Sequence, residues 1–424
     1  MKIIMNVFNF FIDAGPTVML PVIITIIGLI FGLKISRAFK SGLTLGIGFA
    51  GIKLILDFMT TNVGPAAKAM VDRTGVKLDA LDVGWGSIAA VTWASPIIPI
   101  LIFAILLVNI VLLILKRTHT LDVDIWNYHH MAIVGVIVYF VTKNVFLGVG
   151  ASVVMAIATF KISDWSQPMV ESFFGIPGVS LPTVSALSSL VIAWPLNWLL
   201  DRIPLFRKSK FTIKDAQKYL GFFGDSMIMG LVIGMVIGVL AGYDIKAVLH
   251  LGVSMSAVLV LIPKMTSLFM EGLMPISDAA QKWSQKKFKG TRLFIGLDAA
   301  VVVGNPDVIT TALIIIPLTI ALALVLPGNR VLPFADLAVV PFRVAMVVAL
   351  TRGNLLKNII IGLVVTASLL WCGSATAPML TAIAKSVGIN LGTSSMLISS
   401  FAATSMIQSY LVFIAFAYKP IIRS

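Results

Sequence analysis

The chain repeats itself about 210 residues further on, and the repeat lies within sequence that is almost wholly apolar. Gly28-Leu-Ile-Phe-Gly32-Leu-Lys-Ile35 is matched by Gly238-Val-Leu-Ala-Gly242-Tyr-Asp-Ile245. At the same offset Gly42 meets Gly252, Pro65 meets Pro275 and Asn144 meets Asn354; Leu81-Asp82 answers Leu297-Asp298 about six residues further out of step. Such a chain is constrained to two related halves. Hydrophobic residues make up 58% of it and charged residues 12%, and the mean hydropathy is +1.02. A water-soluble core cannot absorb that much apolar side chain, whereas a bilayer can. The structural unit is then the membrane span of ~20 residues, and the expected fold class is an all-α polytopic membrane protein.

Apolar runs mark about eleven transmembrane helices, near 16–33, 41–57, 96–115, 131–142, 145–160, 226–243, 247–262, 308–326, 336–350, 358–375 and 400–418. Lys34, Arg37 and Lys40 follow the first run, while Asp244 and Lys246 cancel at the equivalent place in the second half. The stretch 59–82 balances Lys68, Arg73 and Lys77 against Asp72, Asp79 and Asp82. Its counterpart 264–292 sets six basic residues against Glu271 and Asp278. Equivalent loops of unequal charge predict opposite faces of the membrane, hence two inverted repeats with a ligand site between them. The same rule puts the N-terminus outside, and the basic linker and the C-terminal Lys419 and Arg423 inside. Parity then requires 175–200 to enter and leave on one face, as a re-entrant hairpin broken at Pro182 and Pro195, with Thr376–Leu391 as its equivalent. The expected organisation is a first half over 1–200, a basic cytoplasmic linker over 201–225, a second half over 226–396 and a C-terminal transmembrane helix over 397–424. Met1-Lys2 precedes an apolar start without a small-residue cleavage pattern, which predicts a retained N-terminus.

The formal net charge of +14 sits between the apolar runs, so it points to the bilayer and not to nucleic acid. With Cys372 the only cysteine, neither an intramolecular disulfide nor a cysteine metal cluster can form. No P-loop, His-Glu-x-x-His or Gly-x-Ser-x-Gly occurs. His129 and His130 are adjacent and diverge on a helix. No catalytic residue, metal or cofactor is expected.

Asp298 stands between apolar stretches and is followed by Gly304-Asn305-Pro306. A carboxylate there is costly in hydrocarbon unless it is paired or lines a polar cavity. The break at Asn305 would free backbone groups for a ligand. Two readings stand: a carboxylate that accepts substrate hydroxyls, or an interfacial helix N-cap. Asp82 and Trp85 form the first-half counterpart, with Trp85 and Trp93 able to stack on a sugar-like carbon chain or to serve as belt residues. Asn127 and His130 are three apart and share a face, at what is otherwise a helix start capped by Asp124. Thr183 and Ser185 offer hydroxyls in the proposed re-entrant segment.

The chain resembles the galactitol-type enzyme IIC, the membrane subunit of the bacterial phosphoenolpyruvate-dependent sugar phosphotransferase system. The resemblance rests on Gly15-Pro-Thr-Val-Met-Leu-Pro21, Gly46-Ile-Gly-Phe, Gly64-Pro-Ala-Ala-Lys-Ala-Met70, Asp82-Val-Gly-Trp85, Thr92-Trp-Ala-Ser95, Val123-Asp-Ile-Trp-Asn127, Leu240-Ala-Gly-Tyr-Asp244, Ile295-Gly-Leu-Asp298 and Leu326-Pro-Gly-Asn-Arg-Val-Leu-Pro-Phe334. It runs from about Gly15 to Gly362 and implies a relationship to the ascorbate-type enzyme IIC. It thereby implies a homodimer in which a core domain moves, elevator-fashion, against a scaffold domain. It also implies import of a polyol or sugar that is presented to a cytosolic IIB subunit, itself served by IIA, for phosphorylation. Asp298 and His130 match positions that bear on the site in the family or its relative. Thr183 stands where the family typically has a histidine, and Gly304-Asn305-Pro306 where it tends to have Gly-His-Thr. Those changes alter the donors and acceptors, which admits another hexitol, a pentitol or a related sugar. An ion-coupled secondary carrier for such a substrate is the alternative reading.

Overall fold

The computed structural model describes residues 16–421, apart from 75–77, 86–87, 89–90, 93–94, 123, 209–225, 288–292, 334, 387–396 and 402–403. In the first half the chain runs α1 (Pro16–Ile30), α2 (Ile35–Thr74), β1 (Ala80–Asp82), α3 (Ile98–Ile114), β2 (Thr120–Asp122), α4 (Ile125–Thr142), α5 (Val145–Phe174), β3 (Val179–Ser180) and α6 (Val184–Leu200). The second half runs α7 (Ser226–Leu240), α8 (Ile245–Lys287), β4 (Phe294–Gly296), α9 (Pro306–Val325), β5 (Val331–Leu332), α10 (Val340–Thr351), α11 (Leu355–Ser386), β6 (Leu397–Ser399) and α12 (Ile407–Ile421). The order of elements is the same in both. Short 3₁₀ turns follow β4 (Ala299–Val301) and β5 (Ala335–Val339).

The repeated glycines and asparagines do the same local work in each half. Gly32 and Gly242 have φ +89° and +75°. Leu33 and Tyr243 donate their N–H to Gly28 and Gly238 at 2.9 and 3.0 Å, and Gly32 and Gly242 donate to Leu29 and Val239 at 3.0 Å each. Both turns are Schellman caps ending α1 and α7, and they need a residue that tolerates the left-handed region. Asn144 caps α5, its Oδ1 accepting from Phe146 N at 2.9 Å and Leu147 N at 3.2 Å. Asn354 caps α11 through Lys357 N at 3.1 Å.

The six strands, two or three residues each, were not anticipated in an all-α reading. They form two parallel sheets, ordered β5-β1-β6 and β2-β4-β3. Each sheet takes its central strand from one half and both flanking strands from the other. Where a chain leaves helical geometry in an apolar interior, its N–H and C=O groups must find partners; three short strands together supply them. At the start of the first sheet Arg330 forks onto Asp79, at 2.9 Å through Nε and 2.5 Å through Nη2. The guanidinium holds that exposed carboxyl below the usual aspartate range.

Hydrogen bonding corrects the sequence register. Val83 donates to Ser399 at 2.9 Å as Leu297 donates to Ser180 at 3.0 Å. Val83 thus answers Leu297, and Gly84 answers Asp298; the Leu81-Asp82/Leu297-Asp298 match is two residues out of step with the ladder. The reason is steric. A Cβ on Gly296, the ladder equivalent of Asp82, would sit 2.9 Å from Asp122 Cα and from Pro182 Cγ, so no carboxylate fits there.

α1, α2, α7 and α8 pack on one another, with the two long helices in contact along their length. A Cβ on Gly272 would come within 2.5 Å of Leu45 N and 2.7 Å of Ser41 O, which makes glycine the residue for this crossing. Arg73 reaches the last carbonyls of α7, at 3.4 Å from Leu240 O, where a cation complements the helix dipole. The remaining helices surround the two sheets. α5, α9 and α11 are long and apolar enough to cross a membrane.

Several expectations change. The runs 41–57 and 247–262 are parts of helices of 40 and 43 residues, about 60 Å long at 1.5 Å per residue. Pro65 lies inside α2 without ending it. Segment 175–200 is not a pair of half-helices: the chain turns at Gly175 (φ +72°), forms β3 and enters one helix that holds Pro195 in its interior. Thr376–Ser386 is the continuous end of α11, and 387–391 lies outside the described residues. Of the linker, only its start is described, as the α6 cap Asp201 and a short helix, Pro204–Lys208.

Candidate functional site

β2, β4 and β3 run parallel, so the segments that follow them converge at one end of the sheet. Asp124 there precedes α4, Asp298 precedes the turn Ala299–Val301, and Thr183 precedes α6. Three helical N-termini, each with N–H groups lacking intrahelical partners, therefore meet in one place. Their side chains bond across the gap. Asp298 accepts from Ala300 N at 2.7 Å. Thr183 leaves its own helix uncapped; its hydroxyl accepts from Ala299 N at 2.7 Å and donates to Asn127 Oδ1 at 3.0 Å. Asn127 Nδ2 donates to Asp122 Oδ1 at 3.0 Å, and Asp124 N donates to the same oxygen at 3.2 Å.

Exposure separates the members of this hub. Asn127, Asp122, Asp124 and Thr183 are buried. Asp298 is half-buried, and is the carboxylate of the three that a ligand can reach. His130 is buried on the next turn of α4, its ring centroid 5.1 Å from that of His129. Ser185 is buried in the first turn of α6.

β2 is held rigidly. Asn109 on α3 donates to Thr120 O at 2.9 Å and accepts from Asp122 N at 3.1 Å, and Tyr128 donates to Asp122 O at 3.0 Å. Asp164 on α5 accepts from the Thr118 and Thr120 hydroxyls at 2.8 Å each. In the second half Ser374 on α11, at the equivalent position, accepts from Arg330 N at 2.8 Å at the start of β5.

The first-half candidates Asp82 and Trp85 belong to the other sheet, in a hub of different character. Asp82 accepts from Gly84 N at 3.2 Å and from Asp336 N at 2.8 Å. Asp336 accepts from Trp85 N at 2.8 Å and from the Ser400 hydroxyl at 2.6 Å. Both oxygens of both carboxylates are thus engaged. Arg343, also buried, donates to Asp336 O at 3.3 Å and lies 4.8 Å from the Phe401 ring centroid. This hub is closed and carries its own cation. Ser189, on α6 beyond Thr183, donates to Arg343 O at 2.7 Å and so joins that helix to the second hub.

Asn305 caps α9, accepting from Asp307 N at 2.9 Å, so its carbonyl oxygen is committed to the helix. Trp93 lies outside the described residues. Cys372 is buried in α11. Asp122, Asp336 and Arg343 were not singled out from sequence, and Asp124 only as the cap of a helix start. Extending the internal repeat to Thr120-Leu121 and Val331-Leu332 would have drawn attention to Asp124 and Asp336 just beyond. Among the described residues no group of three His, Cys, Asp or Glu could hold a metal ion. What the second-sheet hub offers is a reachable acid acceptor beside oriented amide and hydroxyl dipoles, a set matched to hydroxyl groups of a neutral ligand.

A family described as the sugar-specific permease component of the phosphotransferase system matches residues 10–394. The chain is 40% identical over 383 residues to the galactitol-specific EIIC component of Escherichia coli strain K12, covering 90% of this chain and 85% of that one. The galactitol-specific EIIC component of Escherichia coli O157:H7 is similar to the same extent, 40% over 383 residues.

Proposed function

Because the chain belongs to the EIIC-GAT family of sugar-specific permease components, we propose that it imports a galactitol-like polyol or sugar and presents it to a cytosolic IIB subunit. Family membership makes it the translocating membrane component of a phosphotransferase system, not catalytic by itself, and a multi-pass protein of the bacterial inner membrane. It works with IIA and IIB components.

In our reading the ligand sits at the hub of Asp298, Thr183, Asn127 and His130. The observation that carries this is the half-buried Asp298 carboxylate where three helical N-termini converge. Asp82 and Trp85 then shape the closed hub next door. Ser185 and Asn305 support α6 and α9 around the ligand. We read the two halves as inverted repeats: the matching order of elements and the matching caps support the repeat, and the unequal charge of equivalent loops supports the inversion. The bundle of α1, α2, α7 and α8 serves as the scaffold of a homodimer. The helices around the two sheets serve as a core that moves against it in elevator fashion. The N-terminus lies outside and the C-terminus inside.

The test is uptake of labelled galactitol by cells that carry this chain with and without its IIA and IIB subunits. Uptake that delivers phosphorylated polyol, and stops without IIB, is expected. Undiminished uptake of free polyol without IIB would overturn phosphotransfer coupling and favour the ion-coupled carrier.

A further inference from the structure

Asp122 ends β2 with 2% of its surface exposed, and its two oxygens differ. Oδ1 takes both Asp124 N and Asn127 Nδ2, whereas Oδ2 meets no hydrogen-bond partner among the described residues. Leaving a buried carboxylate oxygen unpartnered is unfavourable. The engaged oxygen is therefore where a role should be sought.

Both contacts of Asp122 Oδ1 are N–H groups, so this oxygen accepts from each. It draws the amide end of Asn127 towards itself, and so turns Asn127 Oδ1 towards Thr183. The Thr183 hydroxyl has one hydrogen and already accepts from Ala299 N. Facing a carbonyl oxygen, it gives that hydrogen to Asn127. The same hydroxyl lies against the backbone N–H of Ala299, the residue next to Asp298. Were Asn127 turned end for end, its NH₂ would face Thr183, and the hydroxyl hydrogen would go to Asp298 and fill acceptor capacity there.

We propose that Asp122 is a positioning residue: through Asn127 it fixes the direction of the hydrogen-bond chain and keeps the Asp298 carboxylate open to a ligand hydroxyl. This rests on reading the hub as the substrate site. The closed hub next door shows the opposite arrangement, with hydroxyl and backbone donors spent on both of its carboxylates.

The experiment is titration of purified full-length protein in detergent with galactitol, or with another hexitol or a pentitol that binds wild type, with a melting curve for each variant. Asp122→Ala should weaken binding about tenfold, the size of one lost charge-assisted hydrogen bond. Asp122→Asn should bind within about threefold of wild type, because its amide oxygen takes the place of Oδ1. Asp122→Ala combined with Asn127→Ala should bind no more weakly than Asn127→Ala alone, since the two act as one unit. If Asp122→Ala does not fold, Asp122→Ser carries the same expectation: its hydroxyl still accepts Asp124 N in a local turn but ends short of Asn127. Wild-type affinity in Asp122→Ala, with binding lost in Asp298→Asn, overturns the proposal and leaves the site standing. Multiplying losses in the double variant also overturn it, since Asp122 would then touch the ligand itself. Wild-type affinity in Asp298→Asn removes the site reading and this proposal with it.

Discussion

Replacing Asp298 by asparagine separates its two readings by magnitude. As a helix cap the side chain accepts Ala300 N at 2.7 Å, and asparagine caps about as well as aspartate. Stability should therefore change by no more than ~0.5 kcal/mol. As a ligand acceptor the carboxylate contributes a charge-assisted hydrogen bond, worth about 1.5–3 kcal/mol. The affinity should then fall about 10- to 150-fold, at 1.4 kcal/mol per tenfold. Isothermal titration with galactitol measures the second quantity and a melting curve in the same detergent the first. Asp298→Ala provides the contrast: it removes the cap as well, so it should also lose about 0.5–2 kcal/mol of stability. A folded Asp298→Asn protein whose Kd stays within about twofold of wild type would refute the reasoning, since even the weakest charge-assisted bond predicts a larger loss.

Three further outcomes are expected. Valine at Gly32 should lower stability by about 1–2 kcal/mol, because the turn holds positive φ, and valine at Gly242 by more, because a Cβ there would also displace Arg73; thermal unfolding of the two variants checks the order. Lys357 is buried and pairs with the more exposed Asp201, so Asp201→Ala, which strands a buried cation, should cost more than Lys357→Met; melting curves in parallel decide the order. Arg330 holds Asp79 below the usual aspartate range, so this pair stabilises fully above the unfolded value, ~3.9, and loses its effect as pH falls through the lower folded value. Both partners are exposed, so Asp79→Asn should shift neutral-pH stability by under ~1 kcal/mol, with its difference from wild type vanishing in acid.

The candidate site was legible in part. An aspartate in an apolar run stands out because hydrocarbon makes it costly, and Asp298 was found that way. Thr183 was found as a hydroxyl in the proposed re-entrant segment, and Asn127 as a polar group sharing a helix face with His130. Asn305 was also found, yet its oxygen caps α9. Asp122 and Asp124 stood in a segment that reads equally well as an ordinary helix start. The significance of Asp122 appears only once Asn127 and Thr183 are seen to bond in line.

By itself the sequence determined the membrane-like class and the apolar runs that become helices. Each of these depends on hydropathy or on residues a few positions apart. Only the tertiary structure decided which carboxylates share a hub. Strands of two or three residues are too short to show an alternating pattern, and their partners lie far away in the chain: Ala80 pairs with Val331 and with Leu397. Two backbones approaching at Gly296 pushed one aspartate out of register with its counterpart. That contact belongs to the assembled sheet.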